Sequence, residues 1–524
     1  MKLNNKKIYL GLCVLLTIAT YQNCAEFVGS DNNEFSTVVP EEAIPQCRAL
    51  SSSNFNPQLD FTWNSPTVFP TYNQVSSSPS VGDINGDGYP EIAFTSFRSS
   101  EYLYNQKGVL RVIDGRTKTE IISIGSDTMA PSGAVAPLLI DIDRDGRGEI
   151  IYPHFKNKEI VALNSNGTLR WKVATEFAYT CYGGLAAADL NKDGKSEIIK
   201  NGEVLFEQKN ADGTFTPLVR KYKNNGTGCS HFAMNLTSGE GAMSIIDSTG
   251  VYFISNGNFT SKFEVMGLLC EANGCSVAAA DVDTAYAGKE IIYTGFGTFR
   301  IYSADGRIIT DKNLTTQNPE DRCTYNGTSI VGGGTATIGE FDGNASTTEF
   351  AIATGRSLNI YDKGGNKLAG AATNDCSSLS TGVTSFDFNG DGKPEILYAD
   401  ETKFRVYQLS PSSRNLEILW ETPNSTGTIR EYPVVADLNQ DFSPEIIVVS
   451  NNYYLSSGGN NGLRIYTANT DVETWMPTRS IWNQHNYFIS NVDLNLRATS
   501  GSSINDEIAK NFRRNLPGKD LRCK

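Results

Sequence analysis

The chain has 524 residues, of which 20% are charged, with 48 Gly, 23 Tyr, 25 Phe and a formal net charge of −13. This length can bury one large core or several, and the composition is that of a soluble, β-rich protein. The negative balance argues against a nucleic-acid partner, which selects a basic footprint.

Residues 1–23 read as a secretory signal, with Lys2, Lys6 and Lys7 ahead of an apolar run from Ile8 to Ala19 that is too short to span a bilayer. Cys24 follows, and residues 24–57, rich in Asn, Ser, Glu and Pro, read as a tether. Phe61-Thr-Trp63 has the pattern of a β-strand standing alone before the first repeat unit.

The first unit centres on Asp83, Asn85, Asp87, Gly88 and Glu91, followed by the apolar run Ile92-Ala-Phe94. Counting from Asp83, oxygen side chains stand at positions 1, 3, 5 and 9, and the carbonyl of Tyr89 at position 7 can join them. Alternate spacing in a curled loop aims such groups at one centre, and glycine at position 6 permits the positive φ of a sharp turn. Hard oxygen ligands in this number suit Ca²⁺. Zinc would want Cys or His, and an EF-hand would carry its last glutamate at position 12 between helices. A polar turn without metal is the alternative for any single copy.

Four further copies reduce the weight of that alternative. They are Asp141, Asp143, Asp145, Arg147 and Glu149; Asp189, Asn191, Asp193, Lys195 and Glu197; Asp387, Asn389, Asp391, Lys393 and Glu395; and Asp437, Asn439, Asp441, Ser443 and Glu445. The last has Phe442 where the others have glycine, which predicts a strained loop. Two degraded copies, 281–290 and 340–349, reach their glutamates one residue late and predict weak or no metal binding. An eighth place, from Asn235 to Gly239, has almost no ligands.

The unit starts recur about every fifty residues, the mark of a propeller or solenoid. Each unit reads as four short strands: one into the loop, one out of it, a third with alternating pattern, and a fourth that carries tryptophan at Trp171 and Trp420. The fold class is therefore all-β, a propeller of four-stranded blades, eight preferred and seven the alternative. Trp63 precedes its loop by about the same distance as Trp171 and Trp420, so its strand is expected to complete the last blade and close the ring.

Ten cysteines are present. Apart from Cys13 and Cys24, the spacing suggests Cys270 with Cys275, Cys181 with Cys229, Cys323 with Cys376, and Cys47 with Cys523. Of the three histidines, His154 reads as a packing residue, and no nucleophile signature or phosphate-cradling glycine motif stands out. The aromatic and polar stretch from Trp475 to Tyr487, within a C-terminal segment 471–524, reads as a plug or strap across the last blade. A binding surface using Trp482, Arg479 and Asn483 is the alternative.

The repeated units over 58–470 resemble the FG-GAP/VCBS repeats of bacterial surface proteins and integrin α-subunits. The resemblance implies a calcium-stabilised propeller that binds partners through loops at one end of the ring. The inserts Phe97–Gln106 and Gln208–Ser230 are candidates by length. Cys24 resembles the lipidated cysteine of bacterial lipoproteins, though Gln22 and Asn23 replace the usual small residues; this implies an outer-membrane or cell-surface anchor, with a periplasmic or secreted protein the alternative. The expected function is non-enzymatic adhesion, or binding of a surface protein or glycan. A propeller polysaccharide lyase or glycoside hydrolase, and an envelope scaffold, are the alternatives.

Overall fold

The computed structural model describes residues 54–99, 106–156, 158–179, 183–226, 230–237, 243–255, 257–268, 275–344, 346–410, 415–455, 458–469, 475–499 and 512–517. The expected signal segment, Cys24 and nearly all of the tether lie outside these residues. So do Cys47, Cys181, Cys229, Cys270, Cys523 and most of the 97–106 insert.

The chain forms eight antiparallel, four-stranded blades. In the first, Ser80–Gly82 is innermost, followed outward by Glu91–Arg98, Val109–Asp114 and Glu120–Ile124, with the short strand Tyr72–Gln74 added at one end. Side-chain size follows radius. Inner strands are short and often small, as in Ala186–Ala188, because eight of them crowd around one axis. Second strands such as Glu149–Pro153 and Glu445–Ser450 are buried throughout, since blades pack on both of their faces. Outer strands such as Leu169–Ala174 are half exposed. The only helical turns among the described residues are Leu314–Gln317 and Pro319–Asp321.

The ring closes as the tryptophan spacing predicts. Gln58–Trp63 pairs antiparallel with Gly462–Thr467 and supplies the outer strand of the eighth blade. Trp63 also grips the first blade: its ring meets Phe94 edge-on at 4.9 Å, and its Nε1 donates to Glu120 Oε2 at 2.8 Å.

The C-terminal segment packs inward, as the plug reading expects, but it crosses the whole axis and not the last blade alone. Trp482 exchanges backbone hydrogen bonds with Val81, and Asn483 O accepts from Leu139 N at 2.9 Å. Gln484 Oε1 accepts from Ala187 N, and Asn486 Nδ2 donates to His231 O. Phe512 O accepts from Ile338 N, Arg514 bridges Ser385, and Asn515 Nδ2 donates to Val435 O. The inner edges of the first, second, third, fourth, sixth, seventh and eighth blades thus meet one segment. The physical reason is that inner strands present otherwise unpaired backbone groups toward the axis, and buried groups of this kind need partners.

Two further expectations concern the connections. The Gln208–Ser230 insert contains the ordinary outer strand of the third blade, Phe215–Lys221, so its length reflects a long hairpin. The expected Cys323–Cys376 disulfide forms, with Cα atoms 5.5 Å apart, and ties the hairpin Cys323–Ile330 to the connection before the seventh blade. Cys275 is also disulfide-bonded.

Candidate metal loops

Each of the five full loops links a first strand to a second strand at the same end of the ring. The last glutamate leads the second strand, where the ladder holds its backbone, as in the Gly82–Glu91 and Ala436–Glu445 pairs. Its Oε2 then accepts from the backbone N–H at loop position 2 in Glu91, Glu149, Glu197, Glu395 and Glu445, at 2.7–3.0 Å. The degraded loops keep this bond: Glu290 accepts from Val282 and Asp283, and Glu349 from Phe341. In the fourth blade Ser244 holds the equivalent strand position, opposite Met234.

The remaining side chains follow one pattern. The first aspartate takes the N–H of position 6 on Oδ2, in Asp83, Asp141, Asp189, Asp387 and Asp437, at 2.9–3.2 Å. Asn85, Asn191, Asn389 and Asn439 accept the N–H of position 5, and Asp87, Asp145, Asp193, Asp391 and Asp441 that of position 7. The acids at positions 5 and 9 thus keep an oxygen off these backbone bonds, whereas Asp83, Asp141, Asp387 and Asp437 have both oxygens engaged by the loop backbone. In the first loop the spare oxygens converge, with Asn85 Nδ2 between Asp87 Oδ2 at 3.3 Å and Glu91 Oε1 at 2.7 Å.

Position 6 has positive φ as expected, including Phe442 at 71°. Position 4 has it too, in Gly86, Arg144, Lys192, Gly390 and Gln440, a demand that the glycines of the first and seventh blades hint at. Asp114, at the end of the third strand of the first blade, joins Asp87 and Glu91 in a cluster with ligand oxygens within 4.8 Å. Asp141, Asp143 and Glu149 form a second such cluster, and Glu340, Asp342 and Glu349, in a degraded loop, form a third.

Burial, opposed by the backbone hydrogen bonds and aided by neighbouring acids, pushes Glu91 and Glu197 up to about 8. Burial also raises Glu149 to about 8, against the nearby Arg170, and Asp437 to about 7. Glu395 and Glu445 rise well above the usual carboxylate range for the same first reason. Asp189 Oδ1 and Glu290 Oε1 are buried with no hydrogen-bond partner among the described residues. Clustered, buried, all-oxygen donors with spare lone pairs fit a hard divalent cation.

Protein cations stand at some of these sites. Arg170 donates to Asp143 Oδ2, Glu149 Oε1 and Glu207, and Arg497 Nε to Asp141 Oδ2 at 3.1 Å. Lys363 pairs with Asp283 at 2.7 Å in the degraded fifth loop, and Lys289 Nζ donates to Asn235 O in the fourth.

Other singled-out residues serve packing. His154 is buried, with Nε2 at 3.1 Å from Asp127 O. Arg479 donates to Ile489 O and to Val492 O, Asn483 donates to Leu139 O, and Trp482 is fully buried.

Blades and loops together define an eight-bladed β-propeller whose repeat unit is an acidic strand–loop–strand. A family model described as FG-GAP-like repeat matches residues 387–448, the seventh-blade unit and its continuation into the eighth. Among solved structures, the V. cholerae biofilm matrix protein Bap1 aligns with TM-score 0.68 at 17% identity, covering 88% of this chain and 99% of that one. A Bacillus licheniformis rhamnogalacturonan lyase aligns with TM-score 0.54 at 16% identity, over 88% of this chain and 84% of its own. The rhamnogalacturonan lyase YesW aligns with TM-score 0.53 at 15% identity, over 79% and 76%. At these identities the likeness is one of fold. No curated protein matches by sequence.

Proposed function

We propose that this protein is a calcium-stabilised, non-enzymatic propeller that acts outside the cell by binding a surface or matrix ligand, a protein or a glycan. The observation that carries the reading is the plugged axis. A propeller's deepest concavity is its central channel. Here the C-terminal segment fills it with buried side chains such as Trp482 and Tyr487. The acids suited to chemistry are engaged in repeated loops, where a cation neutralises them and holds first strand to second. That leaves rims and loops as the working surface.

The fold shared with a biofilm matrix protein supports an extracellular, adhesive role, as does the FG-GAP-like repeat. Among the described residues no helix is long and apolar enough to cross a membrane. Attachment to the envelope rests, in this proposal, on a lipid at Cys24. Calcium is proposed at the loops of Asp83, Asp141, Asp189, Asp387 and Asp437, with structural rather than signalling affinity.

The lyase reading draws on the two rhamnogalacturonan lyases of like fold. Incubating the purified protein with immobilised extracellular matrix and with a panel of soluble polysaccharides separates the two. Calcium-dependent retention without chain cleavage is expected. Turnover of any polysaccharide would replace binding by lysis or hydrolysis.

A further inference from the structure

Each blade is an antiparallel meander, so the hairpins that join second strand to third lie at the end of the ring opposite the acidic loops. In the second to seventh blades these hairpins are short: 154–158, 201–202, 248–249, 295–297, 354–356 and 400–402. In the first and eighth they are long, 99–108 and 451–461. These two blades are neighbours at the ring seam, so both lengthened hairpins rise at one place. Loops that a rigid scaffold holds up in this way are where recognition is built.

The eighth-blade hairpin is tied to its surroundings by polar bonds. Asn452 N donates to Gln74 Oε1 at 2.7 Å, Asn461 Nδ2 to Asn73 O at 3.1 Å, and Asn460 N to Ser425 Oγ at 2.9 Å. The Tyr454 hydroxyl donates to Glu401 O of the seventh blade at 2.9 Å. The Tyr453 ring meets Phe97 at 5.4 Å and Tyr454 at 5.6 Å, and the two tyrosines stand at 78° to each other. Both are half-buried, and Leu455 beside them is exposed. Asn460 is held through its backbone alone, so its side-chain amide makes no hydrogen bond to another described residue.

Residues 451–461 include no charged side chain, on a chain whose net charge is −13. An anion finds no cation on this hairpin, and a protein partner would call for a larger desolvated apolar centre than Leu455 supplies. A neutral sugar chain needs neither. Aromatic faces fixed in advance take the C–H faces of pyranose rings at little entropic cost, and amides answer their hydroxyls.

We propose that the ligand of this propeller is a neutral polysaccharide and that it docks on the face opposite the acidic loops, at the seam of the eighth and first blades, on Tyr453, Tyr454 and Asn460. This deepens, and rests on, the ligand-binding reading above. The test is calorimetry of the purified protein in calcium buffer with cellohexaose, mannohexaose, chitohexaose and the acidic tetragalacturonate. Two variants are compared with wild type. Y453L/Y454L removes the aromatic faces, and N460A removes an amide that no other described residue engages, so its fold is expected to be intact.

Wild type is expected to bind at least one neutral hexasaccharide and not the acidic one. Affinity should fall by on the order of tenfold or more in Y453L/Y454L and several-fold in N460A, the latter at unchanged melting temperature. Wild-type affinity in both variants, binding of the acidic chain alone, or no neutral binding by wild type overturns the proposal. If N460A and a folded Y453L/Y454L are retained on immobilised matrix as well as wild type, this surface falls while the adhesive reading stands; if wild type itself is not retained, the adhesive reading falls.

Discussion

Arg170 Nη2 donates to Asp143 Oδ2 at 2.7 Å, inside the loop of the second blade. The same guanidinium reaches Glu149 Oε1 at 3.2 Å and Glu207 Oε1 of the next blade at 2.7 Å. A protein cation thus lies against two of the acids that a divalent ion would use, and links two blades. Arg170→Met leaves these buried carboxylates uncompensated, which costs roughly 3 kcal/mol in chelator. Added calcium is expected to recover more stability in the variant than it adds to the wild type, because the ion at the Asp141 loop then meets Asp143 and Glu149 without a competing guanidinium. Denaturant unfolding with and without calcium checks this; a deficit that calcium leaves untouched would show that this loop holds no ion.

Metal-free stability is expected to fall as pH rises. Glu91, Glu149 and Glu197 are pushed to about 8 by burial, far above their unfolded values. Between the unfolded pKa and pH 8 the native state holds more protons than the unfolded chain, so raising pH favours unfolding. Summed over the loops the loss is on the order of several kcal/mol. Calcium binds the ionised form, so its stabilisation should grow with pH over the same window and flatten the profile. Melting curves from pH 5 to pH 8 with calcium and with chelator measure this; a metal-free profile that rises with pH would refute the uncompensated-carboxylate account.

Much of the architecture is legible in the sequence because repetition multiplies a weak local signal. The role of Trp63 follows from its distance to Asp83, matched by Trp171 and Trp420. Glu91 and its counterparts are found for the same reason. The contribution of Asp114 is not, since it arrives from another strand through a turn of no fixed spacing. Arg170 reads only as part of an outer strand, because its contact with Asp143 depends on how that strand curls back over the loop. The span of the C-terminal plug is illegible for a related reason. Contacts such as Trp482 with Val81 are backbone hydrogen bonds across the ring, and these leave no periodic trace.

Ring closure can be tested through Trp63. Its ring packs on Phe94, Arg111 lies over it at 5.3 Å, and its Nε1 donates to Glu120 Oε2. Trp63→Ala removes a buried aromatic at the seam between the last and first blades, a loss of about 3–5 kcal/mol. Trp63→Phe keeps most of the volume but strands Glu120 Oε2, and should cost less. Urea midpoints of the three proteins give the comparison. A W63A midpoint equal to wild type would mean that the eighth blade is held by other contacts.

The axial plug is tested by the pair Arg479 and Trp482. Arg479 donates to Ile489 O and Val492 O, folding the plug upon itself, while Trp482 Nε1 donates to the hydroxyl of Tyr432 and its backbone pairs with Val81. Removing Arg479 strands buried carbonyls, and removing Trp482 opens a cavity at the axis; each costs about 2–4 kcal/mol. R479A/W482A is therefore expected to unfold or to lose several kcal/mol. If the segment were instead a ligand surface, the double variant would keep its stability and lose only binding. Calorimetric melting of the variant beside wild type, followed by matrix retention of whatever remains folded, tells the two apart, because a packed plug must reveal itself in stability before any ligand is added.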